Sequence, residues 1–316
     1  MVDWASDRLL LFGTALAVDL LAGEPPSALH PVVWIGKVTR PLVRLVPGSS
    51  RWLQLAGGGG IALLIPAGFA LGAAGLLEAA APWRWAQFLA GVWLLKSSFA
   101  LGALRDAVHA VRDALFRNEL PEARQALRSL CSRDPSALGA QAVAAAAIES
   151  AAENTSDSLI APLFFFVLFG VPGAVFYRAV NTLDALIGYR GRYEYLGKAA
   201  ARLDDLCNLL PARLTAWLLL AGGWIGGGDW RDGWRIVRRD HALTASPNAG
   251  WPMAAMAGLL GVRLEKAGHY VLGDAQEELT VSKLNEAWRV VAITSAIACG
   301  MTAALLGMQH VARAIG

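Results

Sequence analysis

Six long runs of apolar residues are the feature that most constrains how this chain can fold. About 20 apolar residues are needed to cross about 30 Å of hydrocarbon as a helix. Backbone groups in lipid must find their hydrogen bonds within the protein, so such runs predict helices. We therefore expect an all-α, polytopic integral membrane helical bundle in which residues 1–316 form a single membrane domain. The candidate spans lie at about 9–22, 53–81, 86–104, 159–180, 209–227 and 290–308.

Composition supports a membrane protein and excludes several other classes. The 316 residues are 55% hydrophobic and only 17% charged, which is unusual for a soluble domain. A basic stripe interleaved with aromatic residues is missing, so nucleic-acid binding is not expected. The three cysteines lie far apart and predict neither a disulfide framework nor a metal site. Many of the 12 tryptophans fall near span ends, as in an interfacial belt facing lipid.

The distribution of charge predicts topology. Lys37, Arg40, Arg44 and Arg51 lie between the first two runs with no acid among them, and the stretch 105–133 is rich in arginine. By the positive-inside tendency both loops are cytoplasmic, in a multi-pass protein of the cell (inner) membrane with its active site on the cytoplasmic side. The first residues lack the features of a secretory signal, so the first run is expected to remain as an anchor. An oligomer is compatible with the sequence.

Two polar excursions interrupt the apolar runs. The first, 105–148, has helical patterning broken at Pro121 and Pro135, which predicts an amphipathic helical excursion. The second, 228–289, begins in a Gly- and Trp-rich stretch and includes a Pro-flanked loop ending at Pro252. We expect it to be a polar substrate loop region.

Glycines within the apolar runs predict a packing seam and a break. Gly57 to Gly60, and Gly68 with Gly72, are small residues that let helices approach closely. The sequence Gly170-Val-Pro-Gly173 interrupts the run 159–180 near its middle. Two half-helices meeting there would make a broken helix, and a re-entrant hairpin is one form it could take.

A stripe of acids leads into this broken run. Glu149, Glu153 and Asp157 are spaced four residues apart, so in a helix they share one face. Like charges at this spacing repel, and a charge is costly near the centre of a bilayer. A divalent cation would compensate them, so we predict that these three residues bind a metal.

Further polar residues are dense in the middle third of the chain. Carboxylate and amide oxygens suit Mg²⁺, which usually takes one or two protein carboxylates beside substrate phosphates, and arginines or lysines would neutralise those phosphates. Each pair taken alone is more often a structural ion pair, but the density of the set favours function. The set comprises Asn154, Arg178, Asn181, Asp184, Tyr189, Arg190, Lys198, Arg202, Asp204, Asp205, Asn208 and Arg213.

Five ordered stretches resemble the CobD/CbiB family, the membrane-bound adenosylcobinamide-phosphate synthases of cobalamin biosynthesis. Two departures from the family pattern are Glu24, where Asp is expected, and Ser158, where Gly is expected. The matched stretches cover most of the chain and are Gly23-Glu-Pro-Pro with His30-Pro-Val, Glu149-Ser-Ala-Ala-Glu-Asn-Thr-Ser-Asp157, Ala179-Val-Asn-Thr-Leu-Asp-Ala-Leu-Ile-Gly-Tyr189, Ala201-Arg-Leu-Asp-Asp205 with Pro211-Ala-Arg-Leu-Thr215, and Ser246-Pro-Asn-Ala-Gly-Trp-Pro252.

The resemblance implies an ATP-dependent amide ligase with Mg²⁺ and ATP, and a corrinoid as substrate. The family joins the carboxylate of adenosylcobyric acid to aminopropanol or aminopropanol phosphate, giving adenosylcobinamide or its phosphate. On this interpretation Glu149, Glu153 and Asp157 bind the metal, and Asp184, Asp204 and Asp205 are catalytic, as a second metal contact or as the base that deprotonates the amine.

The remaining predicted site residues would bind substrate. The cations would hold phosphates, the asparagines would hydrogen-bond corrin amides, and Trp251 would offer an apolar face. His30 and Tyr189 are included because they lie in matched stretches, although His30 taken alone resembles an ordinary hydrogen-bonding loop residue. The full substrate set is His30, Asn154, Arg178, Asn181, Tyr189, Lys198, Arg202, Asn208, Arg213, Asn248 and Trp251.

Two other functions remain open at this point. One is a membrane sensor or regulator like the AmpE proteins, which share a distant resemblance with the family. Such a regulator would not need stacked acids with arginine partners. The other is a corrinoid carrier with polar groups at mid-membrane, although carriers commonly show internal repeats and this sequence does not.

Overall fold

The described part of the chain is mainly helical, as the apolar runs predict. The computed structural model describes residues 4–48, 50–131, 133–189, 191 and 193–315. The helices are α1 Trp4–Ala22, α2 Pro31–Leu45, α3 Arg51–Ala79, α4 Arg84–Lys96, α5 Leu101–Phe116, α6 Leu120–Leu127, α7 Ala140–Thr155, α8 Ala161–Ile187, α9 Lys198–Cys207, α10 Leu209–Ile225, α11 Trp230–Asp240, α12 Gly250–Leu260 and α13 Val281–Ile315.

Besides the α-helices, the described residues form two short helical turns of other types and one small β hairpin. A 3₁₀ turn spans Ser27–Leu29, and a π turn spans Ser156–Ile160 between α7 and α8. Strands β1 (Leu264–Lys266) and β2 (Tyr270–Leu272) pair antiparallel, with Leu264 opposite Leu272.

Four stretches of helix among the described residues are long and apolar enough to cross a membrane: Arg51–Ala79, Arg84–Phe116, Ala140–Ile187 and Val281–Ala312. A fifth is added if α9 and α10 are counted together as one bent span. The multi-pass helical prediction is thereby confirmed, but the count is lower than the six runs suggested. The run 9–22 falls in α1, which carries the buried Asp19 and does not qualify.

The chain divides into two compact units. The first comprises the described parts of Met1–Ala100, Ala161–Cys207 and Met301–Gly316. In it α8 lies against α3, α2 and α9, and α1 packs on α4. Apolar side chains from α2, α3 and α8 form its core, with the segment before α9 adding one more: Ile35, Ile61, Ile65, Leu183, Ile187 and Leu196.

The second unit comprises the described parts of Leu101–Ile160 and Asn208–Gly300. The predicted excursion 105–148 contains α5 packed on α6, with Pro121 in the first turn of α6, where a missing N–H costs nothing. The region 228–289 is less polar than expected, because it contains α12, whose residues from Pro252 to Leu260 are all buried against α7, α10 and α11. The role of this region in binding substrate remains a prediction. That residues 1–316 form a single membrane domain also remains a prediction.

The predicted break in the run 159–180 is present. Gly170 has φ 71° and ψ −163°, a conformation outside the helical region that favours glycine, and Pro172 follows two residues later. The helix is therefore broken at the expected place. Whether the two halves form a re-entrant hairpin remains a prediction.

The glycine seam is present at its first two positions. A Cβ added to Gly58 would lie 1.9 Å from the backbone oxygen of Leu196, and one added to Gly57 would lie 2.7 Å from Val46 Cγ2. Gly59, and likewise Gly68 and Gly72, have no described atom within 4 Å of an added Cβ. The close approach therefore brings α3 against the segment that precedes α9.

Replacing Gly58 by alanine should destabilise the protein by about 1–3 kcal/mol, the usual cost of overpacking, because the obstacle is backbone. Gly59→Ala, on the open side of the same helix turn, is the matched control. It should be neutral or stabilising by up to about 1 kcal/mol through helix propensity. Thermal unfolding in detergent, followed by tryptophan fluorescence, measures both. Equal effects of the two substitutions would contradict the packing seam.

Candidate functional site

A buried carboxylate in α7 anchors the acidic stripe. Alanine and other small or apolar residues surround Glu149 along α7, and it is only 3% exposed. Arg133 forms an ion pair with its Oε2, and the phenol of Tyr270 donates to the same oxygen over 3.4 Å. The other oxygen, Oε1, is buried and has no hydrogen-bond partner among the described residues. One carboxylate oxygen is thus held by two side chains, and the hydrogen-bonding capacity of the other is not used by any described residue.

Tyr270 links two members of the stripe. Burial raises the pKa of its phenol, and the negative charges of Glu149 and Glu153 raise it further. The phenol therefore stays protonated at neutral pH and acts as a hydrogen-bond donor. Lys266, on the neighbouring strand, adds a positive charge that acts on Glu149. The β hairpin thus supplies one donor and one cation to the acids of α7.

Asp157 lies in a different backbone setting from the two glutamates. The π turn begins at Ser156, so the regular α-helical register that places Glu149 and Glu153 one turn apart ends before Asp157. In the part of the chain that the structure describes, no three His, Cys, Asp or Glu side chains are arranged to hold a metal ion. A metal bound by Glu149, Glu153 and Asp157 remains a prediction.

Asn154, beside the stripe, secures a local segment. Its Nδ2 donates to the carbonyl oxygens of Leu130, over 3.2 Å, and Ser150, over 2.8 Å. This fixes the chain near Leu130 against α7. The amide donors are thus already used, and the predicted hydrogen bond to substrate remains a prediction.

A second polar cluster surrounds the start of α12. The guanidinium of Arg213 donates to Leu209 O and, over 3.0 Å, to Asn248 Oδ1, and it lies 4.8 Å above the Trp251 ring. His241 packs against the same indole, with ring centroids 4.4 Å apart. The indole Nε1 is buried without a hydrogen-bond partner among the described residues. Three predicted residues, Arg213, Asn248 and Trp251, therefore do meet in space.

The two clusters of the second unit are joined through the first turn of α12. Met253, two residues after Trp251, receives a contact from Tyr270 Oη at 3.9 Å, and Tyr270 also contacts Glu149. Asn208, another predicted residue, is buried at the start of α10, the helix that carries Arg213. The polar residues of α7, α10 and α12 are thus linked by side-chain contacts.

The first unit brings together a different set of predicted residues. Arg178 and Asn181 interact along α8, with 3.4 Å between Nη1 and Oδ1. Asp184, one turn further, is close enough to Asp205 of α9 for their charges to interact. Arg202 lies 3.8 Å from Asp205, although its side chain is 74% exposed. This gives two neighbouring carboxylates flanked by arginines where α8 packs on α9.

Other predicted residues of this unit lie at its surface. Tyr189 and Lys198 are exposed, and Asp204 is partly buried beside Asp205. Exposed cations can reach a ligand but do not define its position. Their roles as binding residues, and that of Asp204 as a catalytic residue, remain predictions. Arg190 lies outside the residues that the structure describes.

His30 belongs to a buried charge cluster that the sequence did not reveal. Lys96, near the end of α4 and almost fully buried, lies 2.9 Å from Asp19 and 2.8 Å from Glu24. Glu24 accepts from His30 Nε2 over 3.0 Å, and His30 Nδ1 accepts from Val32 N at the start of α2. The imidazole of His30 therefore connects Glu24 to the first turn of α2.

Sequence reasoning missed the partners rather than the predicted residues themselves. Arg133, Tyr270 and Lys96 pair with acids 16, 121 and 77 positions away in the chain. Neither spacing nor composition connects such residues. The one usable signal was Lys96, a lone cation inside an apolar run, which is costly unless an acid compensates it.

A cleft in the second unit is lined by none of the predicted residues. It has a volume of about 620 Å³ and opens between the Gly226–Gly228 turn and the start of α13. Its charged lining includes Asp229, Asp232, Glu286 and Arg289. The predicted site therefore consists of side-chain clusters and does not coincide with this cleft.

Comparison with known proteins gives one consistent answer. A family model described as CobD/Cbib protein matches residues 12–299. The cobalamin biosynthesis protein CobD of Dehalococcoides mccartyi is 44% identical over 273 residues, covering 84% of this chain and 87% of that protein. CobD of Klebsiella pneumoniae is 37% identical over 312 residues, which cover 93% of this chain and 96% of that protein. The cobalamin biosynthesis protein CbiB of Salmonella typhimurium is 36% identical over an alignment of 325 residues, which covers 96% of this chain and 99% of that protein. No solved structure gives a significant match.

Arg133→Met should destabilise the protein by about 3 kcal/mol, because it leaves Glu149 buried without its counter-charge. Arg128→Met is the matched control, since Arg128 and its partner Asp134 are 56% and 73% exposed and 3.5 Å apart. An exposed pair of this kind contributes at most about 1 kcal/mol. Chemical denaturation in detergent measures the difference. A loss no larger for Arg133 than for Arg128 would show that the buried pair is not a strong contact.

Glu24→Gln should destabilise the protein by about 2 kcal/mol at neutral pH, the usual value of a hydrogen bond to a charged group. Burial opposes ionisation of Glu24, but the hydrogen bonds from His30 and Lys96 and the charge of Lys96 outweigh it, so its pKa lies below the ordinary 4.5. Its contribution is therefore complete above about pH 4.5 and is lost as the pH falls through the folded pKa.

Unfolding temperatures of wild type and Glu24→Gln, measured from pH 7 to pH 3, test whether the stability contributed by Glu24 is lost as the pH falls. The two curves should be parallel at neutral pH and converge at acidic pH. Curves that diverge as the pH falls would mean that Glu24 is not held as a carboxylate.

Proposed function

The chain belongs to the CobD/CbiB family of cobalamin biosynthesis, and we propose that it forms an amide bond at the expense of ATP. The carboxylate of adenosylcobyric acid would be joined to the amine of aminopropanol or aminopropanol O-phosphate. The product would be adenosylcobinamide or its phosphate. The names of the relatives support the pathway, and the charged residues of both units support the reaction.

The chemistry needs activation of a carboxylate. Oxide is a poor leaving group, so an amine does not displace it. Transfer of a phosphoryl group from ATP to the carboxylate would give an acyl phosphate. The amine then attacks the acyl carbon, phosphate leaves with the C–O bond electrons, and the nitrogen loses a proton to a base. Such a reaction requires charge stabilisation and positioning more than a protein nucleophile.

The observation that carries the proposal is the charge cluster at Glu149. It lies on a stretch apolar enough to cross a membrane, where ionisable groups are costly and usually functional. Arg133 and Tyr270 hold Oε2 and leave Oε1 without a hydrogen-bond partner among the described residues. A regulator would have no need of this arrangement.

The donor set fits magnesium. Mg²⁺ prefers oxygen ligands and usually takes one or two protein carboxylates, with water and phosphate completing its shell. The Oε1 atom of Glu149, with Glu153 nearby, meets that requirement, and a preformed cage of three carboxylates is not needed. Glu149, Glu153 and Asp157 would hold the ion, which when bound neutralises charge on the phosphates of ATP.

The other residues divide by chemistry. Asp184 and Asp205 are neighbouring carboxylates, so either can serve as the base that takes the ammonium proton, with Asp204 beside them. Arg178, Lys198 and Arg202 supply charge for phosphates. His30, Tyr189, Asn154, Asn181 and Asn208 complete the substrate-binding residues that we propose.

The cluster of Arg213, Asn248 and Trp251 suits a corrin. Arg213 orders the Asn248 amide and stacks on Trp251, which leaves a rigid arrangement of amide, guanidinium and indole donors. The corrin periphery is rich in amide side chains that accept such hydrogen bonds, and its ring has an apolar face for Trp251. We place this chemistry on the cytoplasmic side of the inner membrane.

Purified protein in detergent, given adenosylcobyric acid, aminopropanol phosphate, Mg²⁺ and ATP, should form the amide product detectable by mass spectrometry. Glu153→Gln should lower kcat at least about 100-fold, the scale seen when transition-state charge stabilisation is removed. Asp205→Asn should also lower kcat, and most strongly at the acidic end of the pH profile, where the base matters most. Glu265→Gln is the control, because Glu265 is exposed and its one ion pair among the described residues is with nearby Arg263.

Other outcomes would identify another function. Full turnover in folded Glu153→Gln and Asp205→Asn proteins would remove these residues from the chemistry. Tight corrinoid binding without ATP consumption would indicate a carrier. Neither binding nor consumption would indicate a regulator of the AmpE kind.

A further inference from the structure

Helix α2 has three distinct faces. Successive residues of an α-helix are rotated by about 100°, so residues four apart lie on the same side. Pro31, Ile35 and Thr39 make the first face and are buried, with Ile35 packing in the core shared with α3 and α8. The second face is basic and the third is apolar, and both are exposed. A helix with an ordinary water-facing side would have only polar residues there.

The basic face consists of Lys37, Arg40 and Arg44. All three side chains are exposed, and their spacing of three and four residues aligns them in a stripe. No acidic residue occurs anywhere between residues 25 and 77 of the sequence. Among the ion pairs formed by described residues, none involves this stripe. These three neighbouring cations therefore repel one another, and no ion pair with a described residue compensates them.

The third face consists of Val38, Leu42 and Leu45, which are 44%, 37% and 75% exposed. It lies about a third of a turn of the helix away from the basic stripe. An apolar strip of this size beside a cationic one is unfavourable in water. It is favourable at a bilayer surface, where acyl chains meet headgroups.

The C-terminal end of α2 lies close to the start of a candidate membrane span. Leu45 is followed within a few residues by α3, a stretch long enough to span the bilayer. At the start of α3 the Arg51 guanidinium lies 5.2 Å from the Trp52 ring centroid, a pairing typical of the interfacial region. Because only five residues separate Leu45 from Arg51, the C-terminal end of α2 lies close to the end of α3 that enters the membrane.

We propose that α2 lies in the membrane interface and binds anionic phospholipids, with Lys37, Arg40 and Arg44 on the headgroup phosphates and Val38, Leu42 and Leu45 among the acyl chains. The repulsion within the stripe and the exposure of the apolar strip are both relieved by this one ligand. A soluble acidic partner would neutralise the basic stripe but would leave the apolar strip exposed to water.

The test titrates phosphatidylglycerol, and separately phosphatidylcholine, into the full-length protein in neutral detergent while the unfolding temperature is measured. Phosphatidylglycerol should raise the unfolding temperature more than phosphatidylcholine, and 0.5 M salt should weaken the difference by screening. The variant K37Q/R40Q/R44Q should raise the half-saturating concentration at least tenfold, since each basic residue near an anionic surface contributes a several-fold preference.

Two further variants separate lipid binding from folding and from net charge. K37R/R40K/R44K keeps the charges and should retain the wild-type response. R105Q/R117Q/R263Q removes the same number of charges from exposed arginines that already pair with neighbouring acids, and should also respond as wild type. If the triple glutamine variant fails to fold, R44Q alone should raise the half-saturating concentration several-fold.

Three results would overturn the proposal. One is an equal preference for phosphatidylglycerol in the glutamine variant and wild type. Another is an equal loss in the R105Q/R117Q/R263Q control. The third is stabilisation of wild type by inorganic phosphate to the same extent as by phosphatidylglycerol, which would make the stripe a site for free phosphate.

Discussion

Hydrocarbon offers no hydrogen-bond partners, and this constraint organises both the fold and the polar residues within it. Backbone groups are satisfied by forming helices almost throughout. Side-chain charges need another solution, because each one left alone is costly. The Oε2 atom of Glu149 is held by Arg133 and Tyr270, and Lys96 is paired with Asp19 and Glu24. The buried charges of each unit are therefore found in compensated groups, and these are the places where chemistry can occur.

Much of the fold could be predicted because it depends on local properties. Long apolar runs indicated helices, and Gly170 with Pro172 indicated the break, since positive φ and a missing N–H act within a few residues. The sequence-based prediction overestimated the polarity of the region 228–289, because α12 is only 11 residues long and is surrounded by charged sequence. Its burial depends on α7, α10 and α11, which no local pattern includes.

The sequence singled out several polar residues that the structure brings together, but it did not reveal most of their contacts, and their roles remain predictions. Asp184 with Asp205, and Arg213 with Asn248 and Trp251, were singled out separately and are brought together by helix packing. Arg133, Tyr270 and Lys96 were missed because pairing across long separations leaves no periodic signal. The π turn at Ser156 was also missed, since one extra residue in a helical turn changes register without changing composition. It alters the expectation that three acids share one face.

The ion pair between Asp19 and Lys96 bears on how the protein is made. Synthesis proceeds from the N-terminus, so α1 emerges from the ribosome well before α4 supplies its counter-charge. During that interval an acidic group lowers the tendency of α1 to enter lipid by itself. The acid of α1 is therefore compensated only once α4 has been made, so the packing of α1 against α4 becomes complete only at that later stage of synthesis.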